Sequence, residues 1–171
     1  MLKTVRPEDD KAARVYSDHF DVFAQEILAR GICLRFKACG SSMHPFIQDG
    51  DTIIIEPKTT SELNIGDVIF YRRPQGSYIA HRLIKKNGSA SFITKGDNLC
   101  SFDNPVPIAQ TLGRVIAVER NGRCYRLDSR LNMILSRTWT KLSPKSRWLY
   151  PILKPWWRIY RRIIATSSKV S

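Results

Sequence analysis

Two hydrophobic periods divide the chain. Between residues 8 and 30 the spacing is helical: Tyr16, Phe20, Phe23 and Ile27 recur at steps of four, three and four, which puts them on one helix face. Pro7 with Glu8, Asp9 and Asp10 suits a helix start, because proline fits the first turn and carboxylates favour the positive end of the helix dipole; Gly31 supplies the stop. From Gly31 to about Arg126 the pattern shortens to apolar runs of strand length: ICLRFKA (32–38), DTIIIEP (51–57), DVIFYRR (67–73), YIAHRLI (78–84), SFITKG (91–96), GRVIAVER (113–120) and CYRL (124–127). Turn-forming clusters separate them at Gln48-Asp49-Gly50-Asp51, Asn64-Ile65-Gly66-Asp67, Pro74-Gln75-Gly76-Ser77, Lys86-Asn87-Gly88 and Asn121-Gly122. Seven short strands without intervening helical patterns predict a mainly β domain and exclude a βαβ unit.

After Asp128 the reading is helical again over LNMILSRTWTKL, with a break at Ser143-Pro144. The chain therefore divides into an N-terminal amphipathic helix (1–31), a β domain (32–127) and a helical tail (128–171). No internal repeat and no low-complexity linker interrupts this order.

Charge changes the picture of the tail. Of 28 basic side chains 13 lie in residues 120–171, together with one of the 15 acidic ones, so that segment carries nearly the whole net charge of +13. All four tryptophans (Trp139, Trp148, Trp156 and Trp157) lie there too. In WLYPILKPWWRIYRRII, Pro151 and Pro155 forbid one continuous helix, while aromatic rings alternate with Lys154, Arg158, Arg161 and Arg162. Rings with a polar tip beside cations suit a membrane interface, so residues 145–165 are expected to contact an anionic membrane surface rather than nucleic acid.

No window offers about 18 uncharged apolar residues, and MLKTVRPEDDKAARVYSDHF lacks the apolar centre of a secretory signal. No transmembrane helix is expected, and the protein is placed in the cytoplasm or at a membrane periphery. Cys33, Cys39, Cys100 and Cys124 form no CxxC pair and have no histidine at metal spacing; they are expected to be mostly buried free thiols, with no metal and no cofactor implied.

The chemistry concentrates in Cys39-Gly40-Ser41-Ser42-Met43-His44-Pro45, which falls between two predicted strands and displays Ser42 on a turn. A serine in a glycine-containing turn commonly bonds only its own backbone. Here, however, His81 lies on a later strand, and Asp97 and Asp103 follow in Lys95-Gly96-Asp97-Asn98 and Phe102-Asp103-Asn104. A serine nucleophile needs a base for its proton, and an imidazole needs a carboxylate to fix its tautomer. Met43 reads as a core plug under the turn and Pro45 as a stiffener; His19 reads as solvated, His44 as a surface or groove residue, and Lys95 as a solvated side chain at a strand end.

Ser42-Met43-His44-Pro45 resembles the Ser-Met-x-Pro box of the signal peptidase I superfamily, which includes the LexA-type self-cleaving repressors. Gly50-Asp51-Thr52-Ile53-Ile54-Ile55 and Gly66-Asp67-Val68-Ile69-Phe70-Tyr71 are similar to its two Gly-Asp strands, and Leu112-Gly113-Arg114-Val115-Ile116-Ala117-Val118 to its closing strand. The resemblance spans roughly residues 32–120 and implies a complex β fold of the signal-peptidase/LexA type. Most bacterial signal peptidases and the LexA group carry a lysine base where this chain has His81. His81-Arg82-Leu83-Ile84 and Lys95-Gly96-Asp97-Asn98 are similar instead to the archaeal and endoplasmic-reticulum type, which uses serine, histidine and aspartate.

The resemblance implies Ser42 as nucleophile, His81 as general base and Asp97, in the Lys-Gly-Asp-Asn box, or Asp103 as orienting carboxylate; Asp103 is the preferred partner and Asp97 the second, and the sequence does not separate them. Free imidazole titrates near 6.5, so a histidine base needs less desolvation than a lysine. The Ser41–Ser42–Met43 turn would bind the oxyanion through the backbone N–H of Ser42 and a neighbour. Two departures stand out: Gly40 replaces a serine that signal peptidases commonly carry two residues before the nucleophile, and a polar helix stands where they carry a transmembrane anchor. The expected activity is serine endopeptidase cleavage of a signal, leader or membrane-bound precursor peptide. The rival readings are a LexA-like regulatory or DNA-binding module, disfavoured by the short N-terminal helix, and an inactive scaffold.

Overall fold

The structure, a computed structural model, describes residues 22–128 apart from residues 60 and 75. Within them a helix, α1, covers 22–29, and eight strands follow: β1 (Leu34–Lys37), β2 (Thr52–Glu56), β3 (Val68–Arg72), β4 (Tyr78–Asn87), β5 (Ser91–Lys95), β6 (Val106–Pro107), β7 (Thr111–Arg120) and β8 (Arg123–Arg126). They form one antiparallel sheet in the order β1-β2-β7-β3-β4-β5-β6, with β8 also paired to β7.

The mainly β fold class agrees with the sequence pattern. Each of the seven strand-like runs becomes a strand, whereas β6 is an addition two residues long and too short to show a period. β4 also runs on to Asn87, so the turn begins at Gly88, two residues later than the Lys86-Asn87-Gly88 cluster suggests.

Alternation along β3 explains why the sheet is buried on both faces. Val68 and Phe70 join one apolar cluster with Ile53, Ile55, Val115 and Val118, while Ile69 and Tyr71 join a second with Leu83, Phe92 and Val106. The first cluster receives α1 through Ala24 and Leu28.

This corrects the predicted helix face. Phe23 is exposed and Ile27 only half-buried, because the helix docks one residue further round, where the small Ala24 allows close approach. An alanine adds little to a hydropathy stripe, so that face reads weakly. Tyr16, Phe20, His19 and the segment 129–171, with its tail and membrane-contact region 145–165, lie outside the described residues. Among the described residues no helix is long and apolar enough to cross a membrane.

The cysteines also depart from expectation. Cys33, Cys39 and Cys100 are exposed and Cys124 is half-buried, all four as free thiols. Cys33, Cys39 and Cys100 lie in connecting segments, where no strand alternation drives a side chain inward.

Candidate active site

The connection from β1 to β2 carries the turn of the candidate nucleophile, Ser42. Met43 and Ile47 sink into the first apolar cluster, and Ser42, just before Met43 in the turn, stays half-buried and meets His81 of β4. Gly40 has φ +90, a left-handed backbone that a side chain would strain, so the residue that departs from the family serine is the one this turn geometry favours. Its N–H donates to Asp49 Oδ1 at 2.7 Å. The far end of the turn is held by buried Asp51, which accepts from the Gln48 N–H at 2.6 Å and from Arg120 Nε at 2.7 Å; Arg120 also donates to the Phe46 carbonyl at 3.2 Å.

His81 comes from β4, 1% exposed, on the face shared with Ile69 and Leu83. Its Nε2 lies 3.0 Å from Ser42 Oγ and its Nδ1 2.6 Å from Asp103 Oδ2. A carboxylate offers only acceptors, so Nδ1 carries the proton and Nε2 presents its lone pair to the serine hydroxyl.

Asp103 reaches this place because the segment after β5 folds back on itself: the Asp103 N–H donates to the Thr94 carbonyl at 2.9 Å. Thr94 Oγ1 at 2.7 Å and Tyr71 Oη at 3.3 Å donate to the same Oδ2 that faces His81, while Arg73 stands 3.8 Å from Oδ1. Burial pushes the Asp103 carboxyl up, but the His81 hydrogen bond and charge and the two hydroxyl donors outweigh it and hold it below the usual carboxylate range. Burial raises the Tyr71 phenol, which keeps it protonated and able to donate.

Asp97 is not beside His81. Both of its oxygens engage Arg82, Oδ1 with Nε at 2.7 Å and Oδ2 with Nη2 at 2.6 Å, so the structure brings Asp103 rather than Asp97 to the imidazole. The physical reason is side-chain alternation on β4: successive residues His81 and Arg82 project to opposite faces, and the two carboxylates divide between them.

Ser41 is exposed, and its carbonyl accepts from the Asn98 side chain at 3.2 Å and from the His44 N–H at 3.1 Å. The Ser42 carbonyl accepts from the Asn98 N–H at 2.8 Å. The N–H groups of Ser42 and Met43 donate to no described residue. Met43 is buried in the core, as a plug should be, and the His44–Pro45 peptide is cis.

Lys95 overturns the solvated reading. It is 1% exposed, and burial lowers its ammonium below the usual range against the opposing pull of Asp97. Thr94, Tyr71 and Arg82 also escaped the sequence reading. The available signal was a polar residue at an inward strand position, since Thr94 shares its strand face with Phe92.

Beside Ser42 an apolar pocket of about 80 Å³ is lined by Phe36, Ala38, Met43, Phe70, Tyr78 and Ala80 among others. Phe70 and Tyr78 stack across its floor, 5.3 Å between ring centroids. Next to it, β4 residues Tyr78–Ala80 pair with β3 on one side, while β5 takes up the other side only from Arg82 onward.

No curated protein and no solved structure matches the chain. The Peptidase S24-like family model matches residues 8–116, the region that carries Ser42, His81 and Asp103. A hydrogen-bonded Ser–His–Asp row on a mainly β scaffold, within a match that spans well over half of the sequence, leads to one assignment: the chain belongs to the Peptidase S24-like family, within the LexA/signal-peptidase superfamily.

Proposed function

We propose that this protein is a serine endopeptidase in which Ser42 is the nucleophile, His81 the general base and Asp103 the carboxylate that orients it. The observation that carries the reading is the continuous hydrogen-bonded row from Ser42 Oγ through His81 to Asp103 Oδ2, at 3.0 and 2.6 Å. His81 Nε2 takes the hydroxyl proton as Oγ attacks the peptide carbonyl, and the resulting oxyanion faces the N–H of Ser42 and a neighbour. The imidazolium then gives its proton to the amine nitrogen as the C–N bond breaks. Water, deprotonated by the same imidazole, releases the acyl group and restores Ser42.

The open side of Tyr78–Ala80 suits an extended peptide that adds to the sheet, because main-chain bonds would lead its scissile carbonyl toward Ser42. The small apolar pocket beside Ser42 favours a short side chain next to the cut, as in an Ala-x-Ala sequence. Histidine in place of the lysine base supports the archaeal and endoplasmic-reticulum type, and with it a signal, leader or membrane-bound precursor peptide as substrate. The basic aromatic segment 145–165 is the proposed membrane contact.

The test is incubation of the protein and its Ser42→Ala form with a panel of precursor peptides, with cut sites read by mass. Cleavage by the parent and none by Ser42→Ala is expected. Equal cleavage by both would remove Ser42 as nucleophile, while no cleavage together with steeply salt-dependent duplex DNA binding would favour the regulator.

A further inference from the structure

Arg82, the residue after the general base, is 1% exposed and uses its guanidinium in three directions. Nε and Nη2 form the fork on Asp97, Nη1 donates to the Gly66 carbonyl at 2.7 Å, and the plane lies over the Phe46 ring, 4.8 Å from its centroid. Phe46 belongs to the nucleophile turn. Asp97 belongs to the segment 96–98, which holds the other side of that turn: the Asn98 N–H bonds the Ser42 carbonyl and its side chain bonds the Ser41 carbonyl. Gly96 passes so close that an added Cβ would lie 2.7 Å from the Ser42 carbonyl oxygen. One side chain therefore touches the nucleophile turn directly through Phe46 and indirectly through the Asp97 segment, and it leaves the same strand as His81, one residue on.

Burying an ion pair costs desolvation that apolar packing of the same volume would avoid, so such a pair is weak evidence for stability alone. What a planar fork supplies is direction. We propose that Arg82 and Asp97 are a positioning pair that sets Ser42 Oγ within reach of His81 Nε2. The pair touches neither substrate nor reacting atoms and acts through Phe46 and Asn98. The inference rests on the Ser42–His81 reading above and adds what holds those two groups in register.

The test uses the full chain with ¹⁵N-labelled histidine and reads the His81 Nε2 resonance, which needs no substrate. Ser42→Ala removes the hydroxyl and is expected to move that resonance. In the double variant Arg82→Met with Asp97→Leu, an apolar replacement that avoids an unpaired buried charge, the resonance is expected to move to the Ser42→Ala position in protein that still melts cooperatively. On any peptide the parent cleaves, kcat is expected to fall about tenfold or more while KM changes less than about threefold, the pattern of a misplaced catalytic group. A wild-type resonance and wild-type kcat in the double variant overturn the positioning role and leave the peptidase reading intact. A resonance indifferent to Ser42→Ala would instead overturn the Ser42–His81 contact itself. Should the double variant not fold, Phe46→Leu and Asn98→Pro decide, since the first removes the ring contact, the second removes both the N–H bond to the Ser42 carbonyl and the side-chain bond to the Ser41 carbonyl, and each keeps the buried ion pair: a shifted resonance in either supports the role, and none in both overturns it.

Discussion

His81 Nδ1 and Asp103 Oδ2 stand 2.6 Å apart, with the carboxylate oxygen shared by the Thr94 hydroxyl at 2.7 Å. Twenty-two residues separate the two in sequence, yet three donors converge on a single oxygen, and this fixes both the imidazole tautomer and its plane.

Replacement Asp103→Asn should therefore keep the shape and lose the chemistry. The three donors hold the amide oxygen where Oδ2 stood, so the bond to Nδ1–H remains while the negative charge that stabilises the imidazolium is lost. We expect kcat to fall by about 10³–10⁴ with little change in KM, measured on a peptide that the parent cleaves.

The depressed Asp103 carboxyl has a consequence for stability. A carboxyl whose folded pKa lies below its unfolded value near 3.9 contributes stability that is fully present above that value and is lost as pH falls through the folded pKa. Thr94→Val removes one of the groups that lower it, and should cost about 1–2 kcal/mol at pH 7. Urea melts across pH 7 to 3 should show the gap between parent and variant narrowing below about pH 4; a gap that widens toward acid would contradict the assignment.

Gly96→Ala tests the close passage under the nucleophile turn. The new methyl would press on the Ser42 backbone oxygen at 2.7 Å and on Leu99, so either the 96–98 segment or the turn must shift. A loss of about 1–3 kcal/mol in thermal unfolding, with a larger fractional loss of cleavage rate than of folded protein, is the expected outcome.

Ala80→Phe tests the pocket beside Ser42. The ring would fill a space of about 80 Å³ without touching the His81–Asp103 contact. We expect kcat/KM to fall about tenfold or more for peptides with alanine before the cut, while the His81 ring resonances keep their parent positions.

The strands and turns are legible in the sequence because their signals are local. Ile53 and Ile55 alternate with half-exposed neighbours on β2, and Asn121-Gly122 closes the β7–β8 hairpin with both residues at positive φ. The helix face is not legible because docking depends on Ala24, whose side chain is too small to register in a periodicity. The burial of Lys95 is not legible because a charged residue at a strand end is solvated by default, and only the packing around β5 removes the water.

By itself the sequence determined which chemical groups the domain holds and which strands carry them, since alternation and turn preference act over a few residues. It could not separate Asp97 from Asp103: both follow β5 within a few residues, and both fit a carboxylate beside an imidazole. That choice was made by the fold-back that joins the Asp103 N–H to the Thr94 carbonyl and by the opposed faces of His81 and Arg82 on β4. Contacts across tens of residues follow from strand register and packing, and these exist only once the whole sheet is assembled.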